Sequence, residues 1–230
     1  MEAFTKNSKT ILSVDFDRIS TCGQLCEYCY VANMERIYPT YLAKTQRNAK
    51  WAKDNGQEFA KTLNTEYRKL KNSRSKTLKR LSKLPVRIYG AGDFIPEHSW
   101  FLIDLEFEFF VISKNLTTPE HKFYIQRLIS LENLTTVVLS FDKNNLDNYK
   151  GVSGYQENPR VKFAYTGTAD EYEVVSKSDR NFDIFFNISK KKVEMKKSAL
   201  YKEACPCDSG KLSHNESCSY CNKCWKAQKI

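Results

Sequence analysis

Six short runs rich in β-branched and aromatic residues recur along this chain, with helix-compatible segments between them. They span Thr10–Phe16, Val86–Gly90, Phe107–Ser113, Thr135–Phe141, Val161–Thr166 and Asp183–Ile188. Most are nearly continuous in apolar character rather than alternating, which is the pattern of parallel strands covered on both faces. Residues 57–71 carry Phe59, Leu63, Tyr67 and Leu70 at helical spacing. Pro96 and Glu97 suit the first turn of a helix over Ile95–Leu105. Thr118 as N-cap and Pro119 at the first helical position predict another, running to about Leu131. Residues 143–160 read as largely loop, and 168–182 as a short helix around Asp170–Ser176. This alternation predicts an α/β fold built on a parallel sheet.

Length narrows the architecture. A closed eight-stranded barrel needs about 250 residues, and this chain has 230, much of them in a basic insertion and a C-terminal tail. Six strands fit and eight do not. The expectation is an open (β/α)6 partial TIM barrel over residues 1–200, with a basic helical insertion at about 40–84. A cysteine-rich metal-binding extension follows at 201–230, and the polar stretch 71–83 is the expected flexible part. No run approaches 18 apolar residues, so no membrane span is expected. The first residues, Met-Glu-Ala-Phe-Thr-Lys, lack an apolar signal core, and the expected location is the cytoplasm.

Eight cysteines in a reducing compartment are read as metal ligands rather than disulfides, and they fall in two tight groups with none between Cys29 and Cys205. Cys22, Cys26 and Cys29 form a C-x3-C-x2-C run. Three thiolates on one short loop can hold three irons of a cubane [4Fe–4S] cluster and leave the fourth open. Ferredoxin loops use C-x2-C-x2-C and close every iron with cysteine. Zinc sites usually draw their ligands from two separate knuckles, so a zinc knuckle is the competing reading. The first strand runs directly into this loop. That puts it at the C-terminal mouth of the sheet, where ligands collect in parallel α/β folds.

The cysteine run resembles the signature of the radical S-adenosylmethionine (SAM) enzymes, in which the open iron chelates the amino and carboxylate groups of SAM. The resemblance implies further roles. Gly90, Gly92 and Asp93, in Tyr-Gly-Ala-Gly-Asp-Phe, are similar to the Gly-Gly-Glu-like motif that reads the SAM amine, with Asp for Glu and a spacing altered by one. Ser113 and Asn115 after the third run, and Ser140 and Asp142 at the fourth, would contact the SAM carboxylate and ribose. Tyr28 would lie against the adenine, with Thr166, Gly167, Thr168 and Asn187 on the same side. His98 and His121 are read as structural helix residues. The implied chemistry is reductive cleavage of SAM to a 5′-deoxyadenosyl radical, with an external electron donor and an unknown substrate.

The tail holds Cys205, Cys207, Cys218, Cys221 and Cys224. Cys218, Cys221 and Cys224 with Cys205 or Cys207 give four thiolates, Cys207 being the expected spare, and suit either zinc or an auxiliary [4Fe–4S] cluster. Several elements together resemble an uncharacterised family of small phage-borne radical-SAM-like proteins. They are Cys29-Tyr30, the segment Arg87–Phe94, the Phe-x-x-x-Ser-Lys strand end, Ser-Phe-Asp and the terminal C-x2-C-x2-C-Trp. That resemblance places the chain in a host cytoplasm.

Residues 44–83 hold thirteen Lys and Arg against three Asp and Glu, and the rest of the chain balances at 24 against 24, so this segment carries the whole net charge of +10. With Trp51, Phe59 and Tyr67 interleaved, it reads as a nucleic-acid contact surface or as a solvated helix face. Two other function classes compete with the radical enzyme. One is a non-catalytic zinc or iron–sulfur nucleic-acid-binding protein. The other is a degenerate radical SAM fold acting as a binding protein.

Overall fold

A computed structural model describes residues 3–6, 11–22, 26 and 29–188. Tyr28 and the tail cysteines Cys205, Cys218, Cys221 and Cys224 therefore lie outside the described residues. The elements run β1 (Phe4–Lys6), β2 (Leu12–Val14), α1 (Arg18–Thr21), α2 (Tyr30–Ile37), α3 (Pro39–Asp54), α4 (Gly56–Lys71), α5 (Lys76–Leu81) and β3 (Val86–Ile88). After these come α6 (Ser99–Ile103), β4 (Phe109–Ser113), α7 (Phe123–Ile129), β5 (Leu134–Phe141), α8 (Tyr149–Val152), β6 (Val161–Gly167), α9 (Ala169–Ser176) and β7 (Ile184–Asn187).

The strands form one seven-stranded sheet in sequential order, β1 to β7. Only β1 is antiparallel to its neighbour; every later pairing is parallel. Each expected run forms a strand; β2, β3, β4 and β7 are shorter than expected, and β5 and β6 each extend one residue further. The three-residue β1 was not expected, being too short to show a period. A sequential parallel order with right-handed crossovers sends every helix to the same face. The packing agrees: Val14, Ile88, Val111, Leu139, Phe163 and Phe185 share one core with Phe59 and Leu63 of α4, Phe101 of α6, Ile125 of α7 and Tyr172 of α9. The result is a singly wound sheet, not the doubly wound one that helices on both faces would give.

The opposite face is buried without a helix of its own among the described residues. Ile11 and Phe110 form one small cluster there, and Val138, Ala164 and Ile184 another. The register interleaves polar residues with them, since Ser13 pairs with Arg87, Arg87 with Phe110, and Phe110 with Thr136. One row further on, Ile112 pairs with Val138 and Val138 with Lys162. The expected strands covered on both faces are thus found, although among the described residues helices cover one face only; the runs look uniformly apolar because the second face is half apolar as well.

Two further expectations change. Thr118 does not cap a helix, because its hydroxyl donates to the Asn115 carbonyl at 2.9 Å and closes the preceding turn. The chain winds on through tight turns, with His121 among them, and becomes α-helical only at Phe123. Likewise the polar stretch 71–83 carries α5, capped by Ser75 and anchored by buried Leu81. No helix among the described residues is long and apolar enough to cross a membrane.

Candidate active site

The carboxyl ends of β2 to β5 meet around a turn that the sequence marks with two glycines. Beyond β3, Tyr89 takes a left-handed φ of 63° and Gly92 one of 76°. Tyr89 is held there by burial and by its hydroxyl, 3.2 Å from His98 Nδ1. Burial also lowers the His98 pKa to about 3. Gly90 is required because a Cβ would collide with the Asp15 carboxylate and the Ser13 side chain, and Gly92 because one would meet Thr21 and Phe16. What presses on these glycines is the chain's own β2 end.

Asp93 is the hub of this turn. It is 4% exposed, and its carboxylate accepts from the Ser113 hydroxyl at 2.5 Å and from the backbone amides of Phe94 (2.7 Å), Lys114 (3.0 Å) and Asn115 (3.3 Å). Burial raises its pKa, and these hydrogen bonds oppose the rise. The Asp93 amide donates to Thr21 Oγ1 at 3.1 Å, and Asn115 Nδ2 donates to the carbonyls of Thr21 and Phe94 at 2.9 and 2.8 Å. Asp93, Ser113 and Asn115 therefore interlock with α1 as one buried network. Asp15 at the β2 end is also buried, which raises its pKa against the hydroxyls of Ser13 and Thr5 and the charges of Arg87 and Lys44.

The cysteines flank this network. Cys22 follows α1 and Cys29 precedes α2, and all three cysteines are of intermediate exposure and outside disulfides. Asp17 caps α1 by accepting from the Ser20 amide at 2.9 Å. Arg18 of α1 donates its amide to buried Glu35 of α2 at 3.0 Å and pairs with it through the guanidinium, so both ends of the loop are clamped together. Among the described residues no group of three or more His, Cys, Asp or Glu side chains is gathered as the ligands of a metal ion. The donor set itself, three soft sulfurs free of disulfides, is of the kind that takes iron–sulfur or zinc.

Lys114 joins the loop to the strand ends. Its Nζ lies 3.0 Å from Cys26 Sγ and forms a short ion pair with Asp142, whose carboxylate is 3.9 Å from the same sulfur. Burial works against the Lys114 charge, but Asp142 and Cys26 outweigh it and raise the ammonium pKa. Asp142 is fixed in turn: Oδ1 accepts from the Asn144 amide at 2.9 Å, and the Asp142 amide donates to Asn145 at 2.7 Å. Asn145 bridges back to Ser140 O and Thr117 at 3.0 and 3.1 Å.

Of the expected site residues, then, Gly90, Gly92, Asp93, Ser113 and Asn115 form the buried frame, and Asp142 faces the cysteine loop. Ser140 lies 3.4 Å from Thr166 across the next strand pair. Thr168 caps α9 through a reciprocal pair with Glu171, and a Cβ at Gly167 would meet the Glu171 carboxylate. Asn187 ends β7. Residue-by-residue reasoning omitted Lys114, Thr21 and Asp15. Lys114 sits in the Ser-Lys strand end, and only the fold, which pairs Ser113 with Leu139, brings it beside Asp142.

The fold and this edge together define an α/β protein whose strand carboxyl ends gather acids, an ammonium and a thiol loop. The chain belongs to the Gene product 88 family, a phage-type family whose model matches residues 5–227. No curated protein and no solved structure matches it.

Proposed function

We propose that the chain is a radical SAM enzyme on an open partial barrel, with Cys22, Cys26 and Cys29 as the three-thiolate support of a [4Fe–4S] cluster. One observation carries this reading: the loop, rather than leaving β2 directly as expected, follows the short α1 just beyond that strand's carboxyl end, and Cys26 touches Lys114 at the end of β4. Loaded there, cluster and SAM together supply reductive cleavage to a 5′-deoxyadenosyl radical. The protein's own part is to hold and orient. The Asp93 network fixes the turn below the loop, and Asp142 and Ser140 offer acceptors at the mouth. An auxiliary cluster or zinc in the tail, the outside reductant and a host-cytoplasm location belong to the same proposal.

Anaerobic reconstitution tests it. Two four-iron clusters give roughly eight irons per chain and broad visible absorbance, and a strong reductant with SAM then yields 5′-deoxyadenosine. Zinc in both sites without that absorbance overturns the enzyme reading in favour of a metal-stabilised binding protein. A cluster without 5′-deoxyadenosine leaves a degenerate fold that binds a partner.

A separate observation favours nucleic acid as a partner. In the first half of the basic segment Lys50, Lys53 and Lys61 pair with Asp54, Glu97 and Glu58. From Lys69 to Lys83 the chain has seven Lys and Arg and no acid, all seven exposed and without an ion-pair partner among the described residues. The Tyr67 hydroxyl donates to Ser82 O at 2.6 Å, tying α4 to the segment after α5 and presenting both as one surface. Phosphates are the partner such a surface fits.

A further inference from the structure

We infer that Lys114 is a positioning residue for the cysteine loop, and that its ammonium raises the reduction potential of the iron–sulfur group those thiolates hold. The inference rests on the reading of the loop as the support of a cluster. Its warrant is that the β3 turn, the β5 end and the cysteine loop beyond β2 all engage this one residue at the end of β4. The Lys114 amide is held by Asp93 from the β3 turn at 3.0 Å, and its Nζ by Asp142 at the β5 end. The same Nζ reaches Cys26, beyond β2, at 3.0 Å. The Lys114 side chain is 12% exposed and Asp142 1%, so solvent screens this triad little.

A simpler role is conceivable: Lys114 neutralises buried Asp142 and nothing more. The contact with Cys26 argues against that, because a lysine serving one carboxylate has no need of a sulfur. Three thiolates outweigh the dipositive core of a [4Fe–4S] cluster, and one-electron reduction adds a further negative charge. Net charge and hydrogen bonds to the sulfurs set the potential of such a group. A donor cation on Cys26 favours the reduced form, and the Asp142 carboxylate beside it moderates that effect. The two residues should therefore act in opposite directions.

Full-length protein, reconstituted with iron and sulfide, is titrated potentiometrically and followed by electron paramagnetic resonance. The signal read is the one that responds to added SAM, which separates it from any centre in the tail. Lys114→Met should move that midpoint to more negative potential, lowering the reduced fraction at a fixed potential about tenfold, or 59 mV for one electron. Lys114→Arg should retain most of the wild-type value. Asp142→Asn should move the midpoint the other way. Unchanged midpoints at wild-type iron content overturn the inference, as does a shift of the same sign in Lys114→Met and Asp142→Asn, which reports disorder rather than charge. If Lys114→Met retains no iron, the direction of the Asp142→Asn shift decides. Wild-type protein that takes up no iron defeats the radical SAM reading and this inference with it. Iron uptake with unshifted variants defeats this inference alone.

Discussion

The two ends of the parallel sheet treat their polar side chains differently. At the amino end these groups serve the backbone. Arg160 donates to the carbonyls of Ile129 (2.5 Å), Leu131 (2.6 Å) and Leu134, Asn133 to Leu105 O at 2.6 Å, and Asn64 binds Asp104 O and the Glu106 amide at 2.8 and 2.9 Å. Each satisfies carbonyls and amides that loops leave without partners. At the carboxyl end several polar groups meet each other instead: Asp93 with Ser113, Lys114 with Asp142, and Lys114 with Cys26. Asp93 also accepts from the amides of Phe94, Lys114 and Asn115, but the Lys114 pairings close no backbone gap and gather charge around a thiol loop. Polar groups that complete the backbone hold the fold, whereas the contacts of Lys114 with Asp142 and Cys26 gather charge at the strand mouth.

The largest effect expected from that division is all-or-none. Replacing Cys22, Cys26 and Cys29 together with alanine should abolish SAM cleavage and remove the roughly four irons of one cluster, while metal bound by the tail remains. Loss of both metals at once would break the division into two sites.

Acid sharpens the contrast next. The His98 imidazole takes a proton at its ordinary 6.5 when unfolded and only at about 3 when folded. Between those values the native state binds fewer protons, so stability is present above pH 6.5 and is lost as pH falls through the window. The slope approaches about 1.4 kcal/mol per pH unit. Because His98 holds Tyr89, whose left-handed φ begins the glycine turn, amide exchange at residues 89–94 should quicken at pH 4–5 before that at 131–134. Equal quickening at both ends would sink this, as would a denaturation profile flat in pH.

Arg160 tests the amino end alone. Arg160→Met strips carbonyls of their donor and should cost about 1–3 kcal/mol in urea unfolding. Iron uptake and SAM cleavage should be unchanged in the protein that remains folded. If cleavage falls with stability intact, the amino end is not merely structural.

Much of this was legible in the sequence, for physical reasons that also explain the failures. Apolar runs survive as strands because burial fixes their pattern, and Gly90-Ala91-Gly92 marked a tight turn because only glycine leaves room there for Asp15 and Thr21. Helix starts were less readable. Thr118-Pro119 carries a cap signal, yet its hydroxyl turned back to Asn115, a choice that depends on where the preceding strand ends. For the site, Asp93 and Asp142 were visible as strand-end acids, but which groups they engage was not. Asp93 is occupied inside the protein, and Lys114, an ordinary lysine in the sequence, reaches Cys26 from 88 positions away. Contacts of that range follow from strand order, which no local pattern encodes.

The smallest effect on the fold is expected from the basic surface, and that is its use. The cations from Lys69 to Lys83 lie on α4, α5 and the approach to β3, at the amino end where Arg160 and Asn133 serve the backbone. Reversing Lys69, Lys71 and Arg74 to glutamate should therefore change stability by no more than about 0.5 kcal/mol. Binding of a labelled oligonucleotide should nonetheless weaken, and its dependence on log salt should flatten by about 0.7–0.9 for each phosphate that is no longer neutralised. Cleavage of SAM in the absence of nucleic acid should be untouched, since the cysteine loop is at the other end of the strands. Salt-insensitive binding, or none, removes nucleic acid as a partner. Weakened binding accompanied by abolished cleavage would mean that the two ends are coupled, and the contrast between their hydrogen bonds would no longer separate fold from chemistry.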